Sequence, residues 1–301
     1  MPRAADLVEL VRAPAALSVP GDVVAGAAAA GALDRRTPAL AAASVLLYWA
    51  GMAANDWADQ RLDAVERPER PIPSGRVAPG TALGLAAGLT AAGVALAATA
   101  GGRRAASVAV PLAAAVWGYD LAAKDTPAGP AVMAACRGLD VLLGATGGRV
   151  LRAVPAAVTV AAHTWTVTAL SRREVTGADA ALPLRTLVGT ALVAAGAATV
   201  PTGRARSAGR AMPRRWRGPA GAGVLPALLA GSYAARYGAA QARVVAEPSA
   251  ARVRAAVGAG ITGLPALQGA LAARAGAGLL GLAVAVAAPL GRRLARKVSP
   301  T

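Results

Sequence analysis

Charged residues fall in clusters along this chain, and the intervals between the clusters are long and apolar. Uncharged runs cover residues 37–55, 77–102, 105–119, 153–171, 186–203, 218–235, 255–273 and 275–291. All but one are 17 to 26 residues long, against about 20 needed to cross a hydrocarbon core ~30 Å thick. Two further stretches qualify with interruptions: 13–33, broken by Asp22, and 127–148, broken by Arg137 and Asp140. A surface helix of a soluble bundle carries polar residues at every turn of its wet face, and these runs do not. The pattern predicts an all-α polytopic membrane protein of nine or ten spans. Arg274 divides the last apolar stretch, so 255–290 reads as two spans or as one span plus an interfacial segment. Residues 1–12 carry Arg3, Asp6, Glu9 and Arg12 and read as a short interfacial helix, not as a cleavable signal.

Composition agrees with this reading. Of 301 residues 55% are hydrophobic and 16% charged, with mean hydropathy +0.48; soluble domains carry about 25% charged residues. A disordered basic tail is excluded by the hydrophobicity, and a disulfide scaffold by the single cysteine, Cys136. Ala and Gly dominate and Phe is absent, which favours close helix packing. The formal charge of +17 suits anionic lipid better than nucleic acid, because the Arg-rich loops lack interleaved aromatics.

The scarce acids are not scattered. Alternating spans place Asp56, Asp59, Asp63, Glu66, Glu69, Asp120, Asp125, Glu174 and Asp179 on one face of the membrane. Lys and Arg divide almost evenly between the two faces, and the Arg-rich 204–217 loop falls outside, against the positive-inside rule. The acidic face is assigned to the cytoplasm of the cell membrane because a phosphorylated metabolite is supplied there. Asp22 and Asp140 lie within spans, where charge is costly. Arg137 and Asp140, three apart on one helical face, read equally as a structural ion pair or as cavity-lining groups.

At the end of the second span stands Asn55-Asp56-x-x-Asp59-x-x-x-Asp63. On a helix this spacing lines the side-chain oxygens along one stripe. Three carboxylates in a stripe repel one another unless a cation neutralises them. Oxygen-only ligation selects a hard ion such as Mg2+, which commonly bridges to phosphate. A solvated acidic helix end is the plainer alternative.

The motif continues as Arg67-Pro68-Glu69-Arg70-Pro71-Ile72-Pro73-Ser74-Gly75-Arg76. With Tyr119 and Lys124 after the fourth span, the chain resembles the UbiA superfamily of intramembrane prenyltransferases along nearly its whole length. The resemblance implies one domain over residues 1–301, with about nine helices around a central cavity. It implies Mg2+ ions holding an isoprenoid diphosphate beneath an Asp-rich cap. Asn55, Asp56, Asp59 and Asp63 match the first metal–diphosphate motif; Arg70, Arg76 and Lys124 match basic positions meeting the diphosphate. A diphosphate leaving group needs such neutralisation as its C–O bond breaks.

The chain departs from the family at the second Asp-rich motif. Ser171-Arg172-Arg173-Glu174-Val175-Thr176-Gly177-Ala178-Asp179 stands there, so Glu174 is expected as a ligand and Arg172 and Arg173 as direct phosphate contacts. This segment, with Cys136-Arg137-Gly138-Leu139-Asp140, is similar to a divergent branch of EboC-type proteins, found with secondary-metabolite clusters. Asp140 or His163 is expected to orient the acceptor or take its proton, although a lone His within a span is more often a core residue. Cys136 reads as an apolar filler. Trp49, Trp57, Trp117 and Trp165 read as interfacial anchors, with Trp117 and Trp165 as alternative carbocation-facing groups. The leading expectation is Mg2+-dependent prenyl transfer from an isoprenoid diphosphate to a lipophilic acceptor. A terpene cyclase and a non-catalytic isoprenoid carrier are the alternatives.

Overall fold

A computed structural model describes residues 2–179, 181–199 and 224–287; the Arg-rich 204–217 loop lies outside them. Every regular element among the described residues is helical. The chain opens with a short helix α1 (Ala4–Leu10), followed by α2 (Val19–Ala30), α3 (Thr37–Ala58), α4 (Gln60–Glu66), α5 (Pro79–Gly118) and α6 (Gly129–Ala145). Then come α7 (Val154–Ser171), α8 (Ala181–Ala198), α9 (Val224–Tyr233), α10 (Ala239–Ala246), α11 (Ala250–Arg274) and α12 (Gly278–Ala287). Four stretches are long and apolar enough to cross a membrane: Thr37–Ala58, Pro79–Ala123, Ala181–Ala198 and Ala250–Arg274. The chain is an integral membrane protein. The other expected spans correspond to helices that are shorter or less apolar, among them α2 and α6, which carry Asp22, Arg137 and Asp140.

α5 bends back on itself at Gly102, whose φ of 69° and ψ of −160° break the helix; a side chain is strained in that region. Trp117 Nε1 then donates to Thr90 Oγ1 at 3.1 Å, across the two arms of the resulting hairpin. The arms correspond to the separate runs 77–102 and 105–119. α3 packs along this hairpin, with Leu40, Ala43 and Leu47 buried against Ala97, Ala105, Ala109 and Leu112.

α2 and α6 meet backbone to backbone. A Cβ on Gly26 would collide with the Val141 carbonyl, and one on Gly144 with the Val23 carbonyl. This close approach holds Asp22 on α2 beside Arg137 on α6. The carboxy-terminal half has a second core built on Val160, Leu170, Tyr233, Tyr237, Val257 and Leu267. Small residues thus set the helix spacing, as membrane packing without a strong hydrophobic drive requires.

Candidate functional site

The Asp-rich motif spans a helix break. Asp59 caps α3 with near-zero ψ, and α4 starts at the next residue. Backbone bonds from Asp59 N to Asn55 O (2.9 Å) and from Asp63 N to Asp59 O (2.8 Å) carry the helical spacing across it. The side chains do not form the single stripe expected. They divide between two neighbours of opposite charge.

Asp56 and Asp63 turn toward the loop that follows. Arg70 Nη1 lies 2.5 Å from Asp63 Oδ2 and 3.4 Å from Asp56 Oδ1. Arg12 Nη2 donates to the same Asp56 oxygen at 2.7 Å, and Arg67 lies 3.5 Å from Asp63. The loop can present Arg70 because it is folded tightly. Ser74 Oγ donates to the Arg70 carbonyl at 2.6 Å, Gly75 takes φ 75°, and Ile72 and Val77 are buried against Leu10, Ala53 and Ala54.

Asn55 and Asp59 turn instead toward the end of α5. There a π-helical turn, Tyr119–Ala123, widens the backbone, a feature frequent at functional sites. It buries Asp120 and presents Lys124. Lys124 Nζ pairs with Asp59, and Asn55 Nδ2 donates to Asp120 Oδ1 at 3.3 Å. Sequence reasoning counted Asp120 among the acids of this face without giving it a role, although its i,i+4 spacing to Lys124 is a local signal. Arg12, forty-four residues from Asp56, had none.

Below this acidic mouth lies a largely apolar cavity. It runs between α3, α5 and α6, from Tyr119 and Asp120 at one end to Ser44, Arg137 and Asp140 at the other. Tyr48, Met52, Met133 and Cys136 also line it. Arg137 pairs with Asp22 of α2 at 2.8 Å, not with Asp140 on its own helix, because Gly26 and Gly144 let α2 approach. Asp140 accepts instead from Ser44 Oγ. Gln268 Nε2 completes the cluster, donating to Asp22 Oδ1 at 2.6 Å and to the Ser18 carbonyl at 2.8 Å.

Several expected contacts are placed elsewhere. Arg76 does not reach the motif. Its Nε donates to Ser74 Oγ, Nη1 to Asp6 (3.0 Å) and Glu9 (2.6 Å), and Nη2 to Glu9 (2.9 Å) and the Glu69 carbonyl (2.7 Å). All five of its N–H groups are used, so Arg76 clamps α1 to the loop. It holds Glu9 below the usual carboxylate range; Asp6 is held low by Arg3 first and by Arg76 second. His163 is also not at the site. It is 1% exposed, bonded through Nδ1 to Tyr233 Oη at 2.8 Å and stacked edge-on against Tyr233 and Tyr237. Trp165 is 40% exposed and does not line this cavity.

The degenerate second segment lies beside the site without joining its carboxylates. Arg172 Nη1 donates to the Lys124 carbonyl (3.3 Å) and to that of Thr126, bracing the turn that carries Lys124. Arg173 is exposed. Glu174 faces Arg254: burial raises its carboxyl pKa, the Arg254 charge lowers it, and its carbonyl accepts from Arg254 Nη1 at 2.8 Å. Asp179 caps α8 by accepting from Leu182 N at 2.9 Å. Among the described residues no three His, Cys, Asp or Glu side chains come together as a metal group. Mg2+ does not need three, since it is commonly held by one or two carboxylates together with waters and phosphate oxygens. Asp56 with Asp63, both already on one guanidinium, have the chemistry of such a pair.

Comparison with known proteins agrees with this architecture. The chain is 41% identical over 80 residues to the digeranylgeranylglyceryl phosphate synthase of Methanothrix thermoacetophila and 44% identical over 85 residues to that of Natronomonas pharaonis. These matches cover 26% and 28% of this chain and 30% and 31% of the relatives, so the chain aligns with about a third of their length. A solved structure described as concerning digeranylgeranylglyceryl phosphate synthase in membranes superposes with TM-score 0.66 at 17% identity. It covers 91% of this chain and 98% of that one. An apo structure of a UbiA homolog from Aeropyrum pernix K1 gives 0.58 at 21% identity, over 88% and 96%. The model of the UbiA prenyltransferase family matches residues 18–190, more than half of the sequence, and the chain belongs to that family.

Proposed function

We propose that the whole chain is one catalytic domain that transfers an isoprenyl group, within the membrane, from an isoprenoid diphosphate to a lipophilic acceptor. The observation that carries this is the bond from Asn55 to Asp120, which with Tyr119 lines one end of an apolar cavity, so that the ion-paired Asp56, Asp59, Asp63, Arg70 and Lys124 stand beside that mouth. The diphosphate sits at that mouth, facing the cytoplasm, and the hydrocarbon tail extends along Leu47, Leu112 and Val116. Bound Mg2+ supplies neutralisation of the leaving diphosphate, held by Asp56 and Asp63 with Asp59 and Asn55 alongside.

The chain's own cations have to exchange partners. Arg12 and Arg70 turn from the carboxylates to the phosphate oxygens, and Lys124 does the same from Asp59. Each bond is charge-assisted in both arrangements, so the exchange leaves no charge unpaired. Arg172 acts by holding the Lys124 turn, Tyr119 by closing the cavity mouth, and Arg173 as an exposed contact for phosphate on approach. Glu174, expected as a ligand, is left with a supporting role through Arg254. A non-catalytic isoprenoid carrier is the second reading, favoured by the ion pairs that already neutralise Asp56, Asp59 and Asp63.

The test is mass spectrometry of the lipid that co-purifies, followed by incubation with geranyl, farnesyl or geranylgeranyl diphosphate and Mg2+. Transfer yields a prenylated acceptor together with free diphosphate. A terpene formed without acceptor identifies a cyclase, and bound diphosphate without turnover identifies a carrier.

A further inference from the structure

Asp140, Arg137 and Ser44 stand at the inner end of the cavity, separated from the acidic mouth by apolar walls. Asp140 is 7% exposed; Ser44 Oγ is the one side chain donating to it among the described residues, and it does so at Oδ1. Arg137 spends Nη2 on Asp22 and the Ser18 carbonyl, which leaves Nη1 and Nε without a bond among the described residues. A carboxylate oxygen and guanidinium N–H groups beside an apolar cavity are costly to maintain without a ligand. Gln268 and the close α2–α6 contact hold the pair in place from behind.

The location fits a reaction partner. Ser44 precedes Asn55 by eleven residues on α3, about 16 Å at ~1.5 Å per residue. That length leaves room between motif and floor for the diphosphate end of a donor and for a near-attack separation of about 3–3.5 Å. A group hydrogen-bonded at Asp140 therefore lies on the far side of the reacting carbon from the motif.

Resting on the prenyltransferase reading above, we infer that the Ser44–Arg137–Asp140 floor is the acceptor's polar subsite, and that it selects a neutral lipophile bearing a hydroxyl group. A hydroxyl donates to Asp140 Oδ2 and accepts from Arg137. The cluster holds two carboxylates, Asp22 and Asp140, against one guanidinium, so an anionic head meets a negative floor and is disfavoured.

The test uses the full chain in detergent and three matched probes: p-dodecylphenol, its methyl ether, and p-dodecylbenzoate. Wild-type protein binds the phenol about tenfold or more tighter than the ether, the effect expected of a hydrogen bond to a charged group, and the benzoate no tighter than the ether. Asp140→Asn, whose neutral amide oxygen accepts more weakly than a carboxylate, narrows the difference to about threefold. Ser44→Ala, which removes only the orienting bond, narrows the difference to about threefold and serves if Asp140→Asn does not fold. Equal wild-type binding of phenol and ether, tightest binding of the benzoate, or full discrimination by a folded Asp140→Asn overturns the subsite. Turnover of geranylgeranyl diphosphate with Mg2+ by the same wild-type preparation reports separately on the enzymatic assignment. Phenol discrimination without turnover overturns that assignment and leaves the floor as a hydroxyl-binding site with no acceptor role.

Discussion

Replacing Arg70 by Gln separates the structural and functional duties of the Asp-rich motif. Arg70 joins Asp63 at 2.5 Å and Asp56 at 3.4 Å, with its side chain 20% exposed and that of Asp63 1%. Without it Asp63 keeps only Arg67, at 3.5 Å and half exposed, while Asp56 keeps Arg12. Breaking a fully buried pair costs about 3–5 kcal/mol and a surface pair about 1 kcal/mol or less. This pair falls between, at about 2 kcal/mol, and at ~2–4 °C per kcal/mol the melting temperature falls by about 4–8 °C. The same change opens two carboxylates to a cation. Mg2+ at a hundred times its Kd contributes about 2.7 kcal/mol, so it offsets the whole loss in Arg70→Gln. It shifts wild-type protein less, because there it must displace the guanidinium. The assay is tryptophan-fluorescence melting in detergent, with and without Mg2+ at matched ionic strength. The KM for the diphosphate rises about tenfold or more in the same variant, and Arg70→Lys recovers melting more fully than KM because an ammonium lacks the planar fork. Equal Mg2+ shifts in wild type and Arg70→Gln refute the assignment of Asp56 and Asp63 to a cation.

Other consequences concern the parts that hold the site. Glu9 and Asp6 sit below their ordinary values of 4.5 and 3.8. Acids shifted down stabilise the docked state fully above those values and lose that contribution as pH falls through the lowered ones. The protection of α1 against hydrogen exchange, relative to the intrinsic rate at each pH, is therefore constant from neutral pH to about pH 5 and falls below about pH 4; Arg76→Gln removes the part due to Glu9, and wild-type protection that does not change with pH contradicts the clamp. Gly144→Ala forces a methyl against the Val23 carbonyl and costs about 1–3 kcal/mol as overpacking, read as a lower melting temperature. His163→Phe strands the Tyr233 hydroxyl at a cost of about 1–3 kcal/mol yet leaves prenyl transfer unchanged; loss of transfer in a folded variant restores a role for His163 in the chemistry.

The division between what the sequence discloses and what it hides follows contact range. Runs without charge locate the helices, because the membrane's demand on a span is local, and even the Gly102 turn shows as the break between 77–102 and 105–119. The Asp-rich motif is legible for the same reason, since its spacing is that of one helix. Its counter-ions are only partly so. Lys124 and Arg70 follow from family resemblance, whereas Arg12 on Asp56 and Asp22 on Arg137 join residues far apart, and nothing in their neighbours' spacing marks them. Arg70 and Arg76 show the limit most clearly. Two arginines of one loop, alike in composition and context, are parted by the Ser74–Gly75 turn, one toward the motif and the other toward α1. Arg137 and Asp140 share a helix face as the spacing suggests, but α2 arrives through Gly26 and Gly144 and takes the arginine for Asp22.

In the proposed reaction the Asp-rich mouth drives departure of a diphosphate. The most direct measurement is Mg2+-dependent diphosphate release from geranylgeranyl diphosphate by purified full-length protein in lipid nanodiscs, with Asp59→Ala in parallel. Asp59 is only partly buried and, among the described residues, its side chain pairs with Lys124 alone, so the variant is expected to fold with a melting temperature near that of the wild type. Release by wild type and none by Asp59→Ala is the expected result; equal release by the two proteins contradicts this role for the mouth.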